Sequence, residues 1–192
     1  MRTNNTAQRH RRELTLGNRH PELRVDRRLL LRVVRAALAD AAFLRPAPEP
    51  HGSRGDGAAR TSTTGLVSRD AGGVRLGYEL GCCLVGTDEI VALNRQYLGH
   101  DGPTDVIAFD YGAPPDAGPG GCWLRGEVVV CLDVARMQAR RYGTSWTDEL
   151  VRYLVHGLLH VRGYDDAQPR ERRMMKRVEG RLVRALRSRF DL

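Results

Sequence analysis

Apolar positions along the chain alternate between a period of two and a period near 3.6, and the changes mark its elements. Leu14 and Leu16 fall on one face of Glu13–Gly17, which predicts a short edge strand. Asp26 then precedes Leu29, Leu30, Val33, Val34, Ala37 and Leu38, an apolar stripe at helical spacing, so a helix capped by Asp26 is expected over Arg27–Leu44. Tyr78–Val85 is largely apolar and reads as an interior strand. Thr87 is placed to cap the next helix, with Asp88 and Glu89 in its first turn and Gly99 ending it after Leu98. A turn through Gly102-Pro103 leads to a strand at Asp105–Asp110. Gly126–Leu132 is a further apolar strand, and Asp133 is placed to cap a helix that Gly143 stops. Thr147 is placed to cap another, in which Leu150, Val151, Leu154, Val155, Leu158 and Leu159 leave little polar surface, so this helix should be buried. The last helix runs from about Gln168 to Arg187, and Met174, Met175, Val178, Leu182 and Val183 are its packing residues.

The intervals are polar or rich in turn formers. Residues 1–12 read as a disordered basic tail. Arg45–Gly77 is rich in Pro, Gly, Ser, Thr and Ala and reads as a flexible insertion without a core of its own. Tyr111–Trp123 reads as a Pro/Gly loop. The expected fold is α+β: one domain over 13–192, with a mixed, mainly parallel four-stranded sheet packed by about five helices.

Composition narrows the setting. No run approaches the ~18 apolar residues of a membrane span, and the Arg-rich N-terminus has no apolar segment of a secretory signal, so a cytoplasmic protein is expected. Cys82, Cys83, Cys122 and Cys131 show no CxxC spacing and read as buried free thiols. The net charge of +8 is uneven. Residues 1–36 hold ten arginines against three acids, and residues 169–192 hold nine basic residues against three acids, which leaves the centre acidic. Basic ends suit a polyanionic partner, although a solvated helix face would give the same clustering.

Within the buried helix, His156 and His160 are four residues apart and share a face. Two imidazoles so placed can hold one zinc ion. Gly163 is placed to end the helix in a left-handed turn, after which Asp166 can return to the same ion. Three protein ligands leave a fourth position open, the layout of a catalytic rather than a structural zinc site. One Zn2+ per chain is expected, at the C-terminal end of a central helix. The spacing also occurs in metzincin peptidases, whose general base follows the first histidine; that position is Gly157 here.

The stretch His156-Gly157-Leu158-Leu159-His160-Val161-Arg162-Gly163-Tyr164-Asp165-Asp166 more closely resembles the H-G-x-L-H-x-x-G-Y-D-H signature of the YbeY family of rRNA-maturation endoribonucleases, with Asp166 in place of the third histidine. A second stretch, Leu93–Phe109, is similar to the family's L-N-x-x-Y-R-x-x-D-x-P-T-D-V-L-S-F, with Leu98 at the family's Arg and Ala108 at its Ser. Gly126-Glu127 resembles the family's Gly-Asp, and Met175 and Glu179 fall at family offsets. The resemblance implies a single-strand-specific endoribonuclease that matures the 3′ end of small-subunit rRNA and acts in ribosome quality control, with single-stranded RNA and the small subunit as partners. It places His156 in the catalytic centre. Leucine cannot neutralise a scissile phosphate, and Arg95, one helical turn before Leu98, is the candidate replacement. A zinc peptidase and a non-catalytic ribosome-associated zinc protein remain as alternatives.

Overall fold

A computed structural model describes residues 11–45, 47, 76–115 and 122–192. Residues 1–10 of the expected tail and most of the expected insertion at 45–77 lie outside them, whereas Arg12, placed in that tail, pairs with Tyr78 and opens the first strand. Strand β1 (Arg12–Asn18) leads to α1 (Arg27–Leu38) and the short α2 (Ala41–Leu44). Strand β2 (Leu76–Val85) follows, then α3 (Thr87–Leu93) and a π-helical turn, Asn94–Leu98. Strands β3 (Val106–Asp110) and β4 (Cys122–Cys131) precede α4 (Leu132–Tyr142), α5 (Trp146–Val161) and α6 (Pro169–Phe190).

The sheet order is β1-β2-β4-β3, with the first two pairings parallel and the last antiparallel. The α+β fold with a mixed, mainly parallel four-stranded sheet therefore stands, with six α-helices among the described residues against the five or so expected. Leu16, Cys82 and Val128 are aligned across β1, β2 and β4, so they share one sheet face. That face carries α5, which is buried along eleven of its residues and is bordered by α1, α4 and α6. Fully burying a Val or Leu side chain contributes about 1.5–3 kcal/mol, so α5 is the centre of the core. The opposite face holds Glu79, Gly81, Arg125 and Glu127 and is only partly covered.

Gly157 explains how closely α5 approaches the sheet. A Cβ there would lie 2.4 Å from Val128 Cγ1 and 2.9 Å from Val106 Cγ2. No side chain fits at this position without pushing the helix away.

Several caps differ from the expected ones. The helix foreseen over Arg27–Leu44 breaks at Ala39, and Asp40 caps α2 by accepting from the Ala42 amide. Ser145, not Thr147, caps α5 by accepting from the Asp148 amide. Thr87 is the first residue of α3 rather than its cap, and Asp133 is the first acid of α4 rather than its cap. The two are joined instead: Asp133 Oδ2 accepts from both the amide and the hydroxyl of Thr87, at 2.8 and 2.9 Å. A carboxylate from α4 thus caps α3, a pairing that local sequence patterns do not encode. Strand ends also moved. Leu76 and Gly77 belong to β2, Cys122 and Trp123 belong to β4, and Leu132 opens α4. Ala47 packs against the core beside Gly163, so the start of the expected insertion is held. The four cysteines are buried and free, as expected. Burial pushes the Cys82 thiol up to about 12.

Candidate metal centre

The last turn of α5 ends in a Schellman motif. The Tyr164 amide donates to Leu159 O at 3.0 Å and the Gly163 amide to His160 O at 2.9 Å, with Gly163 at φ +96°. This stop carries the chain back over the helix end. Asp165 then accepts from the amides of Asp166 and Ala167, which fixes the turn.

His156, His160 and Asp166 come together as expected. The two Nε2 atoms are 3.1 Å apart. Asp166 Oδ2 is 3.8 Å from His156 Nε2, and its Oδ1 is 4.0 Å from His160 Nε2. Bonds of about 2.0–2.1 Å in tetrahedral array put ligand atoms about 3.3 Å apart, so a small inward movement of Asp166 completes three corners. The Asp166 side chain is 43% exposed, which leaves the open side of the group accessible from solvent.

Each ring is held from behind. His156 Nδ1 donates to Glu179 Oε2 at 2.9 Å, and His160 Nδ1 donates to the Tyr164 carbonyl at 3.1 Å. With both Nδ1 atoms protonated, both Nε2 lone pairs point at the same small volume. Two lone pairs 3.1 Å apart repel unless a cation or a proton lies between them. The donor set of two neutral imidazoles and one carboxylate fits zinc, with the supporting shell that metal-bound histidines use.

Charge supports the same reading. Burial alone would lower His156, but the hydrogen bond and charge of Glu179 outweigh it and raise the imidazole above its ordinary value, with help from Asp105 and Asp166. Burial, and then the neighbouring His156, hold His160 below the ordinary value. Glu179 is itself held low: burial would raise it, but His156 and Arg152 prevail. Arg152 Nη1 meets Glu179 Oε1 at 3.2 Å, so the second ring is braced by the backbone and the first by an ion pair.

Glu179 was not foreseen as part of the site, although a signal was present. It falls between Met175 and Leu182 on the buried stripe of α6, a place where an acid needs a partner. Asp105 was read as the start of a strand and as part of the second family-like stretch, with no link to the histidines. Its Oδ1 accepts from the Val106 amide at 3.0 Å while its charge reaches His156. Arg95 lies elsewhere in the pattern of contacts. It is exposed on the π-helical turn, its Nε donates to Asp101 Oδ1 at 2.7 Å, and among the described residues no contact joins it to the histidines. Leu98 is 53% exposed on the same turn.

Residues 61–187, more than half of the chain, match the family described as Endoribonuclease YbeY. An Endoribonuclease YbeY of Anaeromyxobacter sp. (strain Fw109-5) is 43% identical over 132 residues, which cover 69% of this chain and 67% of that protein. One from Salinispora tropica is 42% identical over 127 residues, covering 62% of this chain and 81% of that protein. One from Salinibacter ruber is 41% identical over 119 residues, covering 61% and 75%. With the family match spanning residues 61–187 and a relative 43% identical over 132 residues, the chain belongs to the YbeY endoribonuclease family.

Proposed function

We propose that this protein is a zinc-dependent endoribonuclease that cuts single-stranded RNA, acting on the 3′ end of small-subunit rRNA and in ribosome quality control. The observation that carries the reading is the convergence of two Nε2 lone pairs and the Asp166 carboxylate on one point beside open solvent. Zinc bound there would supply Lewis acidity toward a phosphoryl oxygen and an activated water near neutral pH. The chain's own groups do the positioning. Glu179 and the Tyr164 carbonyl fix the tautomer and the tilt of each ring, and His156 together with Arg152 holds Glu179 ionised against its burial. Arg95 is the proposed phosphate contact: Asp101 takes its Nε, and the two terminal nitrogens remain to meet a phosphate oxygen. The peptidase alternative is disfavoured by packing, because a general base at position 157 would collide with Val128. Among the described residues no helix is long and apolar enough to cross a membrane.

The test is cleavage of an unstructured RNA and of casein, each before and after chelation. RNA cleavage that chelator abolishes and zinc restores is expected, with casein left intact. In the same assay Arg95→Ala should slow RNA cleavage by about tenfold to a thousandfold at unchanged zinc content. Casein cleavage, or RNA cleavage indifferent to chelator, would overturn the reading.

A further inference from the structure

Helix α6 carries nine basic residues and two acids, and they are sorted by face. On the inner side the charges are committed. Glu179 serves His156 and Arg152, Arg187 pairs with Asp148, and Arg172 Nε donates to the Asp166 carbonyl at 2.9 Å. The outer side is different. Arg170, Arg173, Arg177, Arg181 and Arg184 recur at steps of three and four, and all five are exposed. At 3.6 residues per turn they fall within an arc of about 80° and form a ridge roughly 21 Å long. None of the five enters a hydrogen bond or ion pair among the described residues.

A solvated helix face that exists for stability interleaves acids with bases at these spacings. This one does not. Like charges three and four residues apart repel, so the ridge weakens the helix that bears it. The exposed residues of that face also include no large apolar side chain that could enter a bilayer, which an interfacial membrane helix needs.

We propose that the outer face of α6 is an exosite for the phosphate backbone of RNA. This rests on the reading of the protein as an RNA-cleaving enzyme and adds a place where the substrate is held away from the cut. The ridge is on the side of α6 opposite Glu179, so a strand bound there passes more than one helix diameter, that is beyond about 10–12 Å, from the proposed metal ligands. Its contacts set affinity rather than chemistry. Five arginines without base-reading partners grip any sequence.

The experiment uses the full chain in chelator, so that binding is read without cleavage. The probe is a fluorescent unstructured RNA of about 20 nucleotides, titrated across salt concentrations. The variant is Arg173→Gln, Arg177→Gln, Arg181→Gln, which leaves Arg172 on the Asp166 loop. Its zinc content and melting temperature are checked against the parent. Loss of three phosphate contacts should reduce the slope of log affinity against log salt by about 2, at roughly 0.7 per contact, while the melting temperature holds or rises. An unchanged slope in a folded, zinc-binding variant overturns the exosite. So does weaker binding to anionic phosphatidylglycerol vesicles with RNA binding intact. A reduced slope in a protein that never cleaves RNA would keep the exosite and reject the nuclease reading instead.

Discussion

Two clusters in this molecule each pair histidine with a carboxylate, the first around a buried ring and the second around two half-buried ones, and they differ in which atoms are left over. At the C-terminal ends of the parallel strands, His20 Nδ1 accepts from the Glu22 and Leu23 amides at 3.1 and 2.9 Å. Its Nε2 therefore carries the hydrogen and donates to Asp133 Oδ1 at 3.0 Å. Asp133 spends its other oxygen on Thr87. Every polar atom is used, and the cluster ties β1, α3 and α4 together. At the end of α5 the rings are equally well held through Nδ1, but both Nε2 atoms are turned toward each other and toward Asp166. A saturated histidine is a structural tie; one anchored at one nitrogen and unspent at the other is free to serve as a ligand. Removing the first should therefore cost stability, and removing the second should cost metal.

The sharpest way to break this contrast is to delete one histidine from each cluster. His156→Ala, His160→Ala and Asp166→Ala should each abolish stoichiometric zinc and lower RNA cleavage by at least about a hundredfold, with a small change in metal-free stability. Asp166→His should retain zinc, because the position then offers an imidazole. His20→Ala should do the reverse. It leaves the Asp133 oxygen and two backbone amides without a partner and should cost about 2–3 kcal/mol, with about one zinc per folded chain retained. Elemental analysis and urea unfolding separate the two effects. Full zinc in the His156→Ala, His160→Ala double variant would remove the contrast.

A smaller effect is expected one bond further out. Glu179→Gln keeps an acceptor for His156 Nδ1 but removes the charge that braces it and the ion pair to Arg152. Zinc affinity should fall by about tenfold to a hundredfold, measured by competition with a chromogenic chelator. Unchanged affinity would show that Glu179 is only a partner for Arg152. The corresponding position in the other cluster is Thr87. Thr87→Ala should leave zinc affinity untouched, because Asp133 keeps the Thr87 amide.

The convergence of His156, His160 and Asp166 was legible in the sequence because these residues obey local rules. A four-residue step stacks two rings on a helix, and a glycine at the helix end returns the chain within three residues. The strand pattern was legible for the same reason, since β2 and β4 bury their apolar face continuously and β1 alternates. What escaped was reciprocal and distant. Asp133 caps a helix 46 residues earlier, and Glu179 supports a ring 23 residues earlier. Thr147 lost the α5 cap to Ser145 by two positions, because both residues carry a suitable hydroxyl and only the backbone decides which is still extended. The break at Ala39 was hidden because the apolar stripe continues in phase across it, while Asp40 turns out to be a cap. Gly157, read as the absence of a peptidase base, is also the point where α5 touches the sheet.

The smallest effect separates the clusters by acid. Burial would push the Asp133 carboxyl up, but hydrogen bonds from His20 and Thr87 outweigh it and hold it below the ordinary 3.8. A depressed carboxyl stabilises the fold above its unfolded value of about 3.9 and loses that contribution as pH falls through the folded value. Asp133→Asn removes the ionisation while keeping an oxygen for the Thr87 amide. The parent should therefore be more stable than this variant near pH 6, and the gap should narrow as pH falls below about 4. Metal-free protein is the right sample, because protons compete with zinc for the ligands and would add a pH dependence from the other cluster. Glu179 is depressed as well and shares the sign, so both proteins should retain that common loss and only the difference between them reports Asp133. Urea midpoints between pH 3 and pH 6 supply the measurement. A gap that stays constant over that range would mean that Asp133 holds α3 through geometry alone, and that its charge contributes nothing to the tie.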